Sequence, residues 1–210
     1  MRPTRYIVFG DHFNGKAPLT DRYTIDDTLG TVAFRTAGYS AEGGALALLA
    51  DASQGDNVQI STVDPLQCAL SEESELEARF RLWSDDAVRA RIGFWQDSSN
   101  WVGLEISTDL AGGGYALIGN RATTFYYDYH PDKIDPAWHR LSVRLLGSGA
   151  GAEAVIDGDE DNKLTLTNGE IPVSDRYGIF AYAETRGSSG VTAGEQRGLL
   201  LNYWQVKQRR

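Results

Sequence analysis

The chain of 210 residues is 41% hydrophobic, with 23 glycines and 6 prolines spread along it and no linker-like block, a composition that suits one large core-forming domain. A formal charge of -9 and a pI near 4.8 exclude a generic phosphate-backbone binder, which needs clustered cations. One cysteine, Cys68, excludes an internal disulfide, and no apolar stretch reaches membrane-spanning length, so neither nucleic acid nor membrane insertion is expected.

In chain order, Tyr6 to Phe9 reads as an opening strand before Gly10-Asp11-His12-Phe13-Asn14-Gly15, whose Asn-Gly pair signals a turn. The segment MRPTRYIVFGDHF has only four consecutive apolar residues, too few for a signal-peptide core. The expectation is that the chain stays where it is made unless another route carries it out. Val32 to Phe34, Ala45 to Ala50 and Asn57 to Val63 follow as short strands, and Cys68 reads as a small buried apolar residue.

Residues 74–108 carry the clearest pattern. Leu76, Ala78, Phe80 and Leu82 alternate with Glu75, Glu77, Arg79 and Arg81, and after Ser84-Asp85-Asp86 the apolar series Val88, Ala90, Ile92 and Phe94 alternates with Arg89, Arg91 and Trp95. The polar turn Gln96 to Asn100 precedes WVGLEIS. This predicts three successive antiparallel strands, with Glu75 and Glu77 on a wet outer face paired to Arg89 and Arg91. Tyr115 to Gly119, Thr123 to Tyr129, Trp138 to Leu146, Ala152 to Ile156, Lys163 to Leu166, Tyr177 to Ala183 and Leu199 to Val206 complete the strands. Short strands, frequent turns and no helical period predict an all-β protein, a two-sheet antiparallel sandwich in a single domain, 1–210.

The collinear pieces FGDHFNG, IGFWQDSSNWVGLEI, WHRLSVRL followed by AEAVIDG, RYGIFAYA and LLLNYWQVKQ span nearly the whole chain. In that order they resemble the concanavalin A-like lectin/glucanase superfamily, of the laminin-G/jelly-roll type. The resemblance implies a curved jelly roll and a function among sugar-binding modules, glycoside hydrolases and non-catalytic virion or surface modules. Laminarinase-like members carry an E-x-D-x-x-E strand motif for the paired carboxylates of glycoside cleavage, and this sequence has none. Glu75 and Glu77 depart from it, followed by Arg79 and Phe80.

For ligand binding, TTFYYDYHP at Thr123 to Pro131 places Phe125, Tyr127 and Tyr129 on one strand face and Tyr126, Asp128 and His130 on the other. An aromatic ring beside a carboxylate and an imidazole suits a saccharide, so Tyr126, Asp128 and His130 are the candidate contacts. Trp95 and Trp101 flank the QDSSN turn and extend the set, whereas Trp138 and Trp204 read as core. The polar, glycine-rich stretch Ala183 to Gly198 has the composition of a loop bordering a site or a subunit contact. His12, His130 and His139 have no zinc-like spacing. The acidic run from Asp157 to Asn162 resembles the start of a calcium loop, but Asn162 and Asn168 stand where that loop needs Gly and Glu. It reads as a solvated hairpin, with Asp157, Asp159 and Asp161 a weak calcium set; no cofactor is implied.

With no catalytic motif, the sequence points to a non-enzymatic recognition or structural module, binding a glycan or cell-surface polysaccharide and suited to a bacteriophage tail or capsid surface. Other virion proteins or a second copy of the chain are its alternative partners. The competing reading is a glycoside hydrolase with an atypical site built from Asp128, His130 and distant acids.

Overall fold

Among the described residues, sixteen strands account for almost all the regular structure. They are β1 (Arg5–His12), β2 (Tyr23–Asp26), β3 (Gly30–Arg35), β4 (Ala45–Ala50), β5 (Asn57–Thr62), β6 (Leu66–Cys68), β7 (Glu73–Leu82) and β8 (Val88–Asp97), then β9 (Asn100–Ser107), β10 (Gly114–Arg121), β11 (Thr124–His130), β12 (His139–Leu146), β13 (Gly151–Ile156), β14 (Leu164–Thr167), β15 (Tyr177–Thr185) and β16 (Arg197–Arg209). The computed structural model describes residues 5–13, 21–35, 44–62, 66–68, 73–84, 87–107, 113–147, 150–172, 176–186 and 196–209. The side chain of Cys68 and most of the 183–198 stretch lie outside the described residues. Among the described residues no helix is long and apolar enough to cross a membrane.

The strands form two antiparallel sheets. Sheet I has the order β14-β13-β12-β7-β16-β4-β3, with β1 also paired to β16; sheet II has the order β11-β10-β9-β8-β15-β5-β2, with β6 against β15. This is the two-sheet antiparallel sandwich that the alternation predicts, in the jelly-roll form that the resemblance implies. Leu76 and Phe80 are fully buried, as are Phe94 and, with 1% exposure, Ile92. Around Trp204 the core becomes aromatic: its ring lies 5.5 Å from both Phe13 and Tyr23. Its Nε1–H donates to the Tyr23 hydroxyl at 3.0 Å, which in turn donates to Asp11 at 2.8 Å. Burial there pushes the Tyr23 hydroxyl far above the usual phenol range, so it remains a donor.

The expected run of three neighbouring strands is corrected in one respect. β8 and β9 are paired, but β7 sits in sheet I between β12 and β16. Both β7 and β8 bury an apolar face, and the two layers of a sandwich satisfy that by facing those surfaces toward each other. Glu75 and Glu77 therefore never meet Arg89 and Arg91. Glu75 instead pairs with Arg144 at 3.2 Å and Glu77 with Lys207, both across sheet I. Trp204 is core as expected, whereas Trp138 is half-buried on the outer face of sheet I beneath the Arg79 guanidinium.

Candidate functional site

The outer face of sheet II collects side chains of one parity from β8, β9, β10, β11 and β15. Trp95 stands opposite Trp101, which neighbours Asn120 and then Phe125. In the next cross-strand row Phe180 pairs with Gly93 and Gly93 with Gly103. A Cβ on Gly93 would stand 2.3 Å from the Val102 carbonyl oxygen and 2.5 Å from the Gly103 Cα, so this pair must stay bare. The Phe180 ring packs against Trp95 and Trp101 at centroid distances of 5.1 and 5.5 Å, making an aromatic floor. Tyr129 and Tyr182 pack against the same cluster, and Phe125 and Tyr127 project outward at 55% and 69% exposure.

Beside this floor two carboxylates are buried, Glu105 on β9 at 3% exposure and Glu184 on β15 at 8%. Both strands pair with β8, and that brings the acids to its two arginines. Arg91 Nε donates to Glu105 at 2.6 Å, and Arg89 reaches Glu105 at 3.5 Å and Glu184 at 3.4 Å. Arg186 donates to Glu184 at 2.7 Å and the Tyr182 hydroxyl donates to it at 2.8 Å. Burial first, then Glu184, raises the Tyr182 hydroxyl well above the phenol range and keeps it a donor. The Arg91 guanidinium lies 4.9 Å from the Trp101 ring centre and 5.1 Å from that of Tyr182. It thus covers the faces of both rings.

Trp95 and Trp101 are together here, with Trp101 only 3% exposed. Tyr126, Asp128 and His130 have the opposite parity and point toward sheet I. Tyr126 packs on the main core, Asp128 accepts the Thr165 backbone N–H at 2.8 Å, and His130 Nε2 bonds Asn162 at 2.9 Å while its ring stacks on Tyr115 at 5.0 Å. These groups join the two sheets at one edge, away from Glu105 and Glu184. Glu105 and Glu184 escape the sequence reading, although strand parity alone puts Trp101 with Glu105 and Tyr182 with Glu184.

In the acidic run, Asp157 accepts from the Arg140 backbone N–H at 2.7 Å and bonds His139 Nδ1 at 2.7 Å. Asp159 caps the 3₁₀ turn Glu160–Asn162, taking the backbone N–H groups of Asp161 and Asn162. The hydrogen bond from the Asn162 side chain leads the causes that hold the Asp159 carboxyl below the usual range. Among the described residues no three His, Cys, Asp or Glu side chains converge as a metal group.

No protein-family profile and no curated protein sequence matches this chain. Solved structures match over nearly its whole length. The carbohydrate esterase of the Shiga toxin-encoding bacteriophage phi24B is 17% identical, with 99% of this chain and 100% of that one covered at a TM-score of 0.65. A family 16 glycoside hydrolase from the Bacteroides ovatus mixed-linkage glucan locus, solved with a G4G4G3G product, is 14% identical, covering 95% and 100% at a TM-score of 0.67. Peanut lectin is 11% identical, covering 95% and 97% at a TM-score of 0.58. Mycobacterial glycoside hydrolase and β-glucanase structures are also among the matches. At these identities the likeness establishes the sandwich fold. The predominance of carbohydrate-cleaving proteins among the matches overturns the expectation of a non-enzymatic module and favours the enzyme alternative.

Proposed function

We propose that the protein is a carbohydrate-cleaving enzyme of glycoside hydrolase type, with its site on the outer face of sheet II. The observation that carries this reading is the approach of two buried carboxylates, Glu105 and Glu184, to one guanidinium beside an aromatic floor. Glycoside cleavage needs two carboxyl groups across the scissile bond: one gives a proton to the leaving oxygen while the other assists water or attacks the anomeric carbon. Water supplies hydroxyl to one fragment and hydrogen to the other, so no cofactor enters the balance. The glycosidases with E-x-D-x-x-E hold their acids on one strand, whereas here β9 and β15 each supply one.

Trp95, Trp101 and Tyr182 supply ring faces for sugar C–H surfaces, and Phe125 and Tyr127 extend the aromatic surface outward. Stacking of a sugar on Trp101 and Tyr182 requires Arg91 to swing away, which also loosens its bond to Glu105. The glycan is thus the proposed partner, and a virion setting has one support, the phage source of the matching esterase. The test is a reducing-end release assay across β-glucans and bacterial surface polysaccharides, with Glu105→Gln and Glu184→Gln as controls. Release by the wild type and its loss in both folded variants supports the proposal; release unaffected by either variant, or none on any glycan, overturns it.

A further inference from the structure

The outer face of sheet I holds a second polar groove of about 210 Å³, lined by Glu75, Glu77, Arg140, Ser142, Arg144 and Tyr203. It lies on the opposite side of the sandwich from Glu105 and Glu184, with β12, β7 and β16 side by side as its floor. Cross-strand register sets its composition. Ser142 and Gln205 flank Glu77, Arg144 and Lys207 flank Glu75, and Arg140 and Tyr203 flank Arg79.

The acids are largely engaged. Glu75, 5% exposed, accepts from the Ser142 hydroxyl at 2.6 Å and from Arg144, and Glu77 accepts from Gln205 at 2.6 Å and from Lys207. Arg140 differs. It is exposed, and among the described residues its guanidinium makes no hydrogen bond or ion pair; only its backbone is used, the N–H donating to the Asp157 carboxylate and the carbonyl accepting the Asp157 N–H. It also stands directly opposite another cation, Arg79. The Arg79 guanidinium lies over the Trp138 ring, which leaves Arg140 as the cation that faces the groove, and an anion bound there would offset the repulsion between the two like charges. Across the groove the Tyr203 ring is half-buried and backed by His12 at 5.4 Å.

We propose that this groove binds a sugar acid, a uronate residue of a glycan, separately from the site on sheet II. The planar fork of Arg140 fits the uronate carboxylate, the Tyr203 ring takes a C–H face, and the remaining lone pairs of Glu77 accept from hydroxyls. The choice of a sugar over another carboxylate rests on the carbohydrate reading given above; the anion-binding half rests on Arg140 in the groove. Such a site would hold an acidic polysaccharide against the protein while another segment lies on sheet II.

The test is protein-observed NMR titration of the full chain with D-glucuronate, D-glucose and acetate in parallel. Glucuronate is expected to shift the backbone amides of Ser142, Gly158 and Tyr203 saturably, with glucose and acetate at least tenfold weaker. Arg140→Gln should weaken glucuronate at least tenfold, and Glu184→Gln should leave it unchanged. Equal binding of acetate overturns the sugar-acid assignment in favour of a simple anion site. Shifts confined to sheet II, indifference to Arg140→Gln, or no saturable shift overturns the site itself. Loss of glycan turnover in Glu184→Gln with groove binding intact separates the two proposals, since the groove then stands whatever becomes of the catalytic one.

Discussion

Asp128 on β11 accepts the backbone N–H of Thr165 on β14 at 2.8 Å, so one carboxylate joins the edge strand of sheet II to the edge strand of sheet I. The His130–Asn162 bond repeats the connection one turn of parity further along β11. Charge-assisted bonds to backbone are stronger than neutral ones, but Asp128 is only half-buried. Asp128→Ala should therefore cost about 1 kcal/mol, read from urea midpoints at constant slope. Glycan turnover should be unchanged, and a catalytic loss with full stability would place Asp128 in the active site instead.

The fold was legible where one face of a strand is apolar and the other charged, as in β7 and β8, because period two then decides which side is core. What local pattern does not carry is the partner of a strand. Glu75 meets Arg144 because β7 lies beside β12, a neighbour far along the chain, and nothing between residues 74 and 97 encodes that adjacency. The same limit hid the acidic pair, since Glu105 and Glu184 come together only because β9 and β15 flank β8. In TTFYYDYHP both faces are aromatic, so alternation could not say which one turns inward. The position of β11 at the edge of sheet II against β14 decides it. Trp95 and Trp101 stand opposite each other because they flank one short turn, a proximity that the local sequence does carry.

Phe80 has no solvent exposure and lies in the main core, with its ring 5.7 Å from that of His139. Phe80→Ala should cost about 3–5 kcal/mol, since the cavity left between two sheets cannot fully collapse. Chemical denaturation measures this; a cost below 1 kcal/mol would mean that the sheets close over the gap.

The β10–β11 turn sets two residues with side chains at positive φ, Ala122 at 50° and Thr123 at 71°. A two-residue hairpin prefers Asn-Gly there, and a β-branched residue at positive φ is strained. Thr123→Gly should raise stability by about 0.5–1 kcal/mol, the relief of left-handed strain less the extra freedom glycine has when unfolded. The hydrogen bonds that fix this turn, Thr123 N–H to the Ser99 carbonyl and Ala122 N–H to the Asn100 side-chain oxygen, involve no side chain of the turn and should survive. Unchanged or lowered midpoints would show that Thr123 makes a compensating contact.

His139 stands between Asp157, at 2.7 Å from Nδ1, and Asp135, at 3.1 Å from Nε2. Burial opposes the charged ring, but the bonds with these acids outweigh it and raise its pKa above the usual 6.5. A folded-state pKa above the unfolded one means that the native protein holds the proton more tightly. The stabilisation is complete below about 6.5 and is lost as pH rises through the folded value. Urea midpoints should therefore fall as pH rises above about 6.5, and His139→Gln should flatten that slope. A slope that persists in the variant would assign the titration to another group.

Glu184 takes hydrogen bonds from Arg186 and from the Tyr182 hydroxyl and an ion pair from Arg89, whereas among the described residues Glu105 is held by Arg91 and Arg89. If these two acids perform the cleavage, Glu184→Gln and Glu105→Gln should each lower kcat by about 10²–10⁴, the usual contribution of a positioned acid or base. Tyr182→Phe removes one donor to Glu184 and leaves the ring, so it should lower kcat by less than either glutamine variant while KM stays nearly constant. Trp101→Ala removes stacking surface and should act mainly on KM. Because each Gln leaves an arginine with a weakened partner, circular dichroism and melting must accompany the kinetics. A variant that melts like the wild type yet keeps full kcat removes that carboxylate from the mechanism, and a Tyr182→Phe loss as large as that of Glu184→Gln would move the proton-handling role to the tyrosine.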